Sequence, residues 1–61
     1  MNPFAMAVKE LENRIAQTTD VIVSGNLSLE EYHSSCGEVS GLRRAITEIR
    51  RIESIYSEND E

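Results

Sequence analysis

Two apolar seams, one on each side of a short break that contains glycine, constrain the fold of this chain most strongly. In the first half, apolar or β-branched residues recur at intervals of 4, 3, 4, 3 and 4. This alternation is the heptad pattern of a helix that packs along one stripe. The first seam consists of Phe4, Val8, Leu11, Ile15, Thr18 and Ile22.

The first helix is predicted over about 3–24, because both of its ends carry recognised signals. Asn2 is a favourable N-cap residue, and Pro3 suits the first helical position, where no amide hydrogen is needed. The β-branched residues near the helix end favour a strand, but the seam continues through them, so we expect a helix. Gly25 suits the left-handed conformation that ends many helices, and a turn is predicted over 25–28.

The second helix is predicted over about 29–57, and its start carries the stronger signal. Ser28 and Glu31 have the spacing of a capping box, in which each side chain bonds the backbone amide of the other residue. The remaining residues, 58–61, are predicted to form a frayed acidic tail. The second seam consists of Tyr32, Val39, Leu42, Ile46, Ile49 and Tyr56, and it is widened by Cys36, Ala45 and Ile52.

So short a connection requires the helices to fold back on each other, which predicts an all-α antiparallel two-helix hairpin over 1–57. On its flanks, the expected register places Glu12 beside Arg43 and Arg14 beside Glu38, and both pairs have opposite charges. In the seam, the same register sets Ile15, Leu11, Val8 and Phe4 opposite Val39, Leu42, Ile46 and Ile49, respectively.

The length of the chain leaves little room for a core. A single domain of 61 residues buries only about 60% of the surface that its unfolded chain exposes. Cys36 is the single cysteine, so an intrachain disulfide is excluded. We therefore expect the hairpin to dimerise into a four-helix bundle or to dock on a larger assembly.

Two glycines inside the second helix indicate where that contact lies. Gly37 and Gly41 fall on the side away from the seam, where each costs about 1 kcal/mol relative to alanine. They are either tolerated surface defects or, as we favour, a place where a second backbone approaches closely. The second helix is also expected to overrun the first by about 10 Å and to leave its last apolar residues without a partner. The predicted protein interface is Ser34, Gly37, Gly41, Ala45, Ile52, Ile55 and Tyr56.

The charge and the ends of the chain bear on partners and location. The net charge of −5, from 11 acidic and 6 basic residues, disfavours a general nucleic-acid binder, since such proteins bind phosphate through Lys and Arg. No run of about 18 apolar residues is present, so we expect no membrane contact. The first residues lack the basic and apolar regions of a signal peptide, and a lone thiol is typical of a reducing compartment. We expect synthesis in a cytosol.

Candidate catalytic or metal-binding groups are few. Glu30, His33 and Cys36 lie one turn apart on the second helix, where a Cys–His pair could indicate a nucleophile or a metal site, but no third and fourth ligand accompanies that pair. We interpret Cys36 as a small apolar residue. Because phosphate-binding glycine loops and serine-nucleophile motifs are also missing, we predict no enzyme, no cofactor and no metal.

Four arginines on the second helix have two interpretations. Arg43 and Arg50 share one face, and Arg44 and Arg51 share another. Ion pairs within the helix, such as those of Glu48 with Arg44 and Arg51, explain them locally. The other interpretation is contact with an acidic partner, either a phosphate surface or a protein.

One run of the second helix also carries a family resemblance. It reads Glu31-Tyr32, then Gly37-x-Val39-x-Gly41-Leu42 and Ala45-Ile46-x-x-Ile49. It is similar to a pattern in small helical proteins encoded by tailed bacteriophages, in which E-Y precedes G-x-I-x-G-L, an alanine and isoleucines. The resemblance implies a phage accessory or virion-associated protein that acts by binding, is made in the host cytoplasm and has a place in the virion.

Three functions are therefore considered. The first is a structural or assembly component of a phage particle that docks through the second helix. The second is an inhibitor of a host enzyme that presents acidic residues as a DNA-like surface. The third, an enzyme or small-ligand binder, has no residue pattern in its favour. The acidic residues of the second hypothesis are Glu10, Glu12, Glu30, Glu31 and those of the segment 57–61.

Overall fold

The computed structural model describes residues 2–59 as two antiparallel α-helices joined by residues 24–28. Helix α1 spans Pro3–Val23 and helix α2 spans Leu29–Asn59. The two helices pack side by side in a rod whose Cα atoms extend over 51 × 19 × 10 Å. The smallest of these dimensions is that of a single layer of helices. The prediction of an all-α helical hairpin is confirmed.

The helix ends differ slightly from the predicted bounds. Helix α1 ends at Val23, and Ser24 is its C-cap. Helix α2 continues through Asn59, beyond the predicted end at residue 57, so the predicted tail begins as helix. The rest of that tail, 60–61, lies outside the described residues.

Both helices start at the predicted caps. The Asn2 side-chain oxygen accepts hydrogen bonds from the amides of Phe4, at 2.9 Å, and Ala5, at 3.4 Å. At the start of α2, the Glu31 amide donates to Ser28 Oγ at 3.1 Å, and the Ser28 amide donates to Glu31 Oε1 at 3.3 Å. The capping box is confirmed. Local side chains therefore satisfy amides that each first turn would otherwise leave unpaired.

The end of α1 is helical despite its β-branched residues. The Ser24 amide donates to the Asp20 carbonyl at 3.0 Å, and the Gly25 amide donates to the Ile22 carbonyl at 3.3 Å. Gly25 has a φ of 76°, which side chains disfavour and glycine tolerates. This residue reverses the chain toward α2, as predicted.

The seam of α1 is the predicted one. Val8 is the most buried residue of α1, with 9% of its surface exposed, and Ile46 is the most buried residue of α2, at 8%. The other α1 seam residues are half-buried, and they are Phe4, Leu11, Ile15, Thr18 and Ile22. The apolar periodicity thus identified every side chain through which α1 packs.

The seam of α2 differs from the prediction at both ends. The prediction placed Tyr32 and Tyr56 in the seam, but both are exposed. Ser35 and Glu53 occupy seam positions instead and are half-buried. Glu53 Oε2 accepts a hydrogen bond from Asn2 Nδ2 at 2.6 Å, so a polar pair closes the seam at the open end of the hairpin.

The register is also displaced from the expected one. Phe4 was expected opposite Ile49, but its ring packs against Tyr56 with 5.7 Å between ring centroids. Thr18 Oγ1 donates to Glu38 Oε2 at 3.4 Å, again farther along α2 than expected. A displacement in this direction carries the start of α2 past the end of α1.

The predicted flanking ion pairs do not form, although Glu12 and Arg43 lie on the same side of the hairpin and line one groove. The expected register gave two flanking pairs, Glu12–Arg43 and Arg14–Glu38. Within the part of the chain that the structure describes, ion pairing at 4.0 Å or less is confined to Arg51 and Glu48, at 3.0 Å. This pair lies within α2 and is exposed, so it adds little stability.

The capping box gives a first testable prediction. Ser28→Ala removes the acceptor of the Glu31 amide and is expected to lower the free energy of unfolding by about 1 kcal/mol. Ser54→Ala, at an exposed position inside α2, is the matched control and should hold or slightly raise stability, because alanine is the better helix former. Urea denaturation followed by circular dichroism measures both. Equal midpoints for Ser28→Ala and the native chain would contradict the prediction.

The contact between Asn2 and Glu53 gives a second prediction. Asn2→Asp keeps a capping oxygen but replaces the amide donor with a carboxylate, so two like charges meet. We expect a loss of about 1 kcal/mol at neutral pH. Adding Glu53→Gln should recover most of the loss, because its amide donates to the new carboxylate. A double-mutant cycle in urea tests the coupling, and strictly additive effects would mean that the two side chains do not interact.

Candidate interaction surface

The predicted interface residues form one stripe along α2. At 3.6 residues per turn, their mean direction lies about 110° from the centre of the seam. This position leaves the stripe at the side of α2, beyond the contact with α1. We call this set the outer stripe, and it consists of Ser34, Gly37, Gly41, Ala45, Ile52, Ile55 and Tyr56.

The two glycines of the outer stripe face open space. A Cβ atom added to Gly37 or Gly41 would meet no atom within 4 Å. Their predicted position on the side away from α1 is therefore confirmed. Nothing within the hairpin requires a glycine at either position, since both lie in ordinary helical backbone.

The C-terminal part of the outer stripe is apolar and exposed. Ile52 exposes 38% of its surface, Ile55 44% and Tyr56 59%. Helix α2 has 31 residues and α1 has 21, so α2 is longer by about 15 Å. The expectation that Tyr56 has no partner in the hairpin is wrong, because the displaced register brings its ring to Phe4. Ala45, farther toward the N-terminus, is half-buried.

An open groove lies on the other side of the seam, which we call the opposite groove. Ile15 and Ile46 contribute its apolar part, and Arg43 and Arg50 line it from α2. Its residues are Glu12, Ile15, Ala16, Arg43, Ile46, Thr47 and Arg50. The four arginines of α2 thus separate as predicted, with this pair on one side. On the other side, Arg51 makes the predicted local ion pair.

The groups considered for chemistry lie apart from any ligand cluster. The His33 ring packs edge-on against Tyr32 with 5.9 Å between centroids. Cys36 is a half-buried free thiol beside the seam. No group of three or more His, Cys, Asp or Glu side chains suited to a metal ion occurs within residues 2–59.

The hairpin exposes more surface than a compact protein of its mass. Its accessible area is 4940 Å², whereas an average folded monomer of 6.9 kDa exposes about 4000 Å². Its radius of gyration is 14.8 Å, whereas about 10 Å is usual for this length. Both values follow from a single layer of helices, since each helix then has only one neighbour.

The polar closure of the seam was missed by the sequence analysis, although a signal for it exists. Glu53 stands four residues after Ile49, so it continues the spacing of 3 and 4 along the seam. Glu53 was missed because the predicted seam included only apolar residues. Its partner Asn2 was identified only as a cap, yet one side chain caps α1 and bonds α2.

Comparisons with known proteins identify no relative of this chain. No protein-family model, curated protein or solved structure matches it. Among the described residues, neither helix is both long and apolar enough to cross a membrane.

The unequal surroundings of Ile55 and Tyr56 give a third prediction. Tyr56→Ala removes a ring that packs on Phe4 and is expected to lower the free energy of unfolding by about 1 kcal/mol. Ile55→Ala is the matched control and should change it by less than about 0.5 kcal/mol. Urea denaturation at the lowest practical protein concentration measures the fold with least contribution from association. Equal losses in the two variants would contradict the contact.

Proposed function

We propose that the hairpin acts by binding protein through the outer stripe and has no catalytic role. The observation that carries this proposal is the accessible area of 4940 Å², which exceeds that of an average monomer by about 900 Å². An interface of standard size covers about 800 Å² on each partner. One such contact would therefore reduce the exposed area of the hairpin to about that of an average monomer of this mass.

A second copy of the chain satisfies this surface. In a square four-helix bundle, each helix meets its two neighbours at about 90°, and the outer stripe lies about 110° from the seam of α2. Two hairpins joined through their outer stripes therefore approach a four-helix bundle. The contact would cover Ile52 and Ile55 and use the open space beside Gly37 and Gly41. A larger assembly that offers an apolar helix satisfies the same residues.

The biological setting that we propose is a bacteriophage particle, in which the protein is a structural or assembly component made in the host cytoplasm. The support is the resemblance of residues 31–49 to small phage proteins. The glycines and Ala45 of that run belong to the outer stripe, so the resemblance and the proposed contact involve the same part of α2.

The placing of the acidic residues supports this proposal over an acidic inhibitor. Glu10 and Glu12 are two residues apart in α1 and therefore point about 160° away from each other. Glu30 and Glu31 lie at the start of α2, whereas Glu58 lies near its far end. A DNA-like surface needs a row of carboxylates on one face, and these side chains occupy different faces and ends.

Particle association is tested by mass spectrometry of phage particles purified through a density gradient. Peptides of the chain at constant stoichiometry across the particle band are expected for a virion component. Their absence from particles, with the protein present in the lysate of infected cells, would remove the virion role and leave the protein-binding proposal in place.

The open space beside Gly41 gives the prediction that tests protein binding. Gly41→Leu gains helix propensity but adds bulk at a close interface. We expect sedimentation equilibrium to show that the native chain associates at micromolar concentration. Association of Gly41→Leu should be at least tenfold weaker, and circular dichroism should show that its helicity is retained.

Ser54→Leu is the matched control, because it adds a similar side chain to an exposed position outside the outer stripe. It should leave association unchanged. A folded native species of one chain mass would exclude self-association, and an undiminished oligomer in Gly41→Leu would place the contact elsewhere.

A further inference from the structure

The charges beside the outer stripe are distributed unevenly along α2. Before Gly41, the charged residues of α2 are acidic, and they are Glu30, Glu31 and Glu38. Between Gly41 and Ile52, four arginines accompany Glu48 alone. An antiparallel pair of α2 helices brings the acidic region of each copy to the basic region of the other. A parallel pair instead brings the acidic starts of both helices together.

On this side of α2, residues spaced seven apart form three rows along the helix. The central row contains Ser34, Gly41 and Ile55 of the outer stripe, together with Glu48. The row on one side consists of Glu30, Gly37, Arg44 and Arg51, and the row on the other side consists of Glu31, Glu38, Ala45 and Ile52. In a two-fold antiparallel pair, each row meets its own counterpart, because the contact is self-complementary.

We propose that two copies of the chain pair their α2 helices antiparallel about a two-fold axis that passes through Gly41. This arrangement rests on the proposed function, since it assigns the protein contact to a second copy. On the axis, the absence of side chains at Gly41 allows both backbones to approach closely. Gly37 of each copy then lies opposite Arg44 of the other, so the arginine stem has space.

The ends of this contact combine apolar and charged pairs. Ile55 comes to the turn of the second copy, where Leu27 is apolar and half-buried. On the flank, Glu30 meets Arg51 of the second copy, and symmetry repeats both contacts. Glu30 and Arg51 are 21 residues apart, which is three heptads, so they lie on the same row.

The competing arrangements are less favourable for electrostatic reasons. An antiparallel register one heptad step farther along sets Arg44 against Arg44 of the second copy. A parallel pair sets Glu30 near Glu31 of the second copy at both flanks. Like charges held together at an interface oppose association, so the arrangement about Gly41 is the one without such a conflict among these rows.

Distance measurement distinguishes the orientations. The variant Cys36→Ser/Ser54→Cys carries one spin label for each chain at an exposed position of α2. In the proposed pair, the labels lie about 40 Å apart, because each is 13 residues from the axis at about 1.5 Å per residue. In a parallel pair, they lie less than about 30 Å apart, because the helix axes are about 10 Å apart and each label adds its own reach. Double electron–electron resonance resolves these values.

The outcomes separate the arrangement from the proposed function. A dimer mass with a distance near 40 Å supports the antiparallel pair. A dimer mass with the short distance overturns the arrangement and leaves protein binding intact. A single-chain mass at all concentrations, for this variant and the native chain, overturns the arrangement together with self-association.

Charge reversal tests the register. Glu30→Arg alone and Arg51→Glu alone are each expected to weaken dimerisation by about tenfold, since two exposed pairs become repulsive in each dimer. The two changes together should restore it. Arg50→Glu is the matched control, because Arg50 lines the opposite groove, and it should leave dimerisation unchanged. Loss in both single variants without recovery in the double variant would overturn the register, and circular dichroism checks helicity in each.

Discussion

The structure depends on a single seam between two helices. A helix in a layer of two has one neighbour, so apolar burial is limited to the stripe that faces it. Here only Val8 and Ile46 have less than 10% of their surface exposed. The other residues that form the seam are half-buried. The hydrophobic effect, which normally dominates stability, therefore contributes little for each residue of this hairpin. Other contacts must supply part of the stability.

Local polar contacts supply part of the compensation. Both helix starts are capped by side chains, and Asn2 also bonds Glu53 across the open end of the seam. At the other end, Gly25 and the capping box of Ser28 and Glu31 fix the turn. Each contact contributes about 1 kcal/mol. They determine where the helices begin and how they align, but they cover little apolar surface.

Those same local features explain how much of the molecule the sequence predicts. The caps, the turn and the α1 seam depend on neighbours within a few residues, so spacing and residue type identify them. The register depends on the path of the connection and on polar seam residues such as Glu53, which apolar periodicity omits. Tyr56 was misplaced for this reason. The exposure of Gly37 and Gly41 was predictable because it follows from helical geometry, whereas contacts within one chain do not indicate what would bind there.

The two interior glycines link the stability of the single chain to the proposed association. The glycines at 37 and 41 together cost the isolated helix about 2 kcal/mol relative to alanine, and the single seam offers nothing at those positions in return. A chain with so few buried residues is sensitive to that loss, because total stability is only a few kcal/mol at this size. If a second copy contacts this face, mass action stabilises the folded hairpin in proportion to the logarithm of protein concentration. The feature that weakens the single chain then makes its fold conditional on assembly.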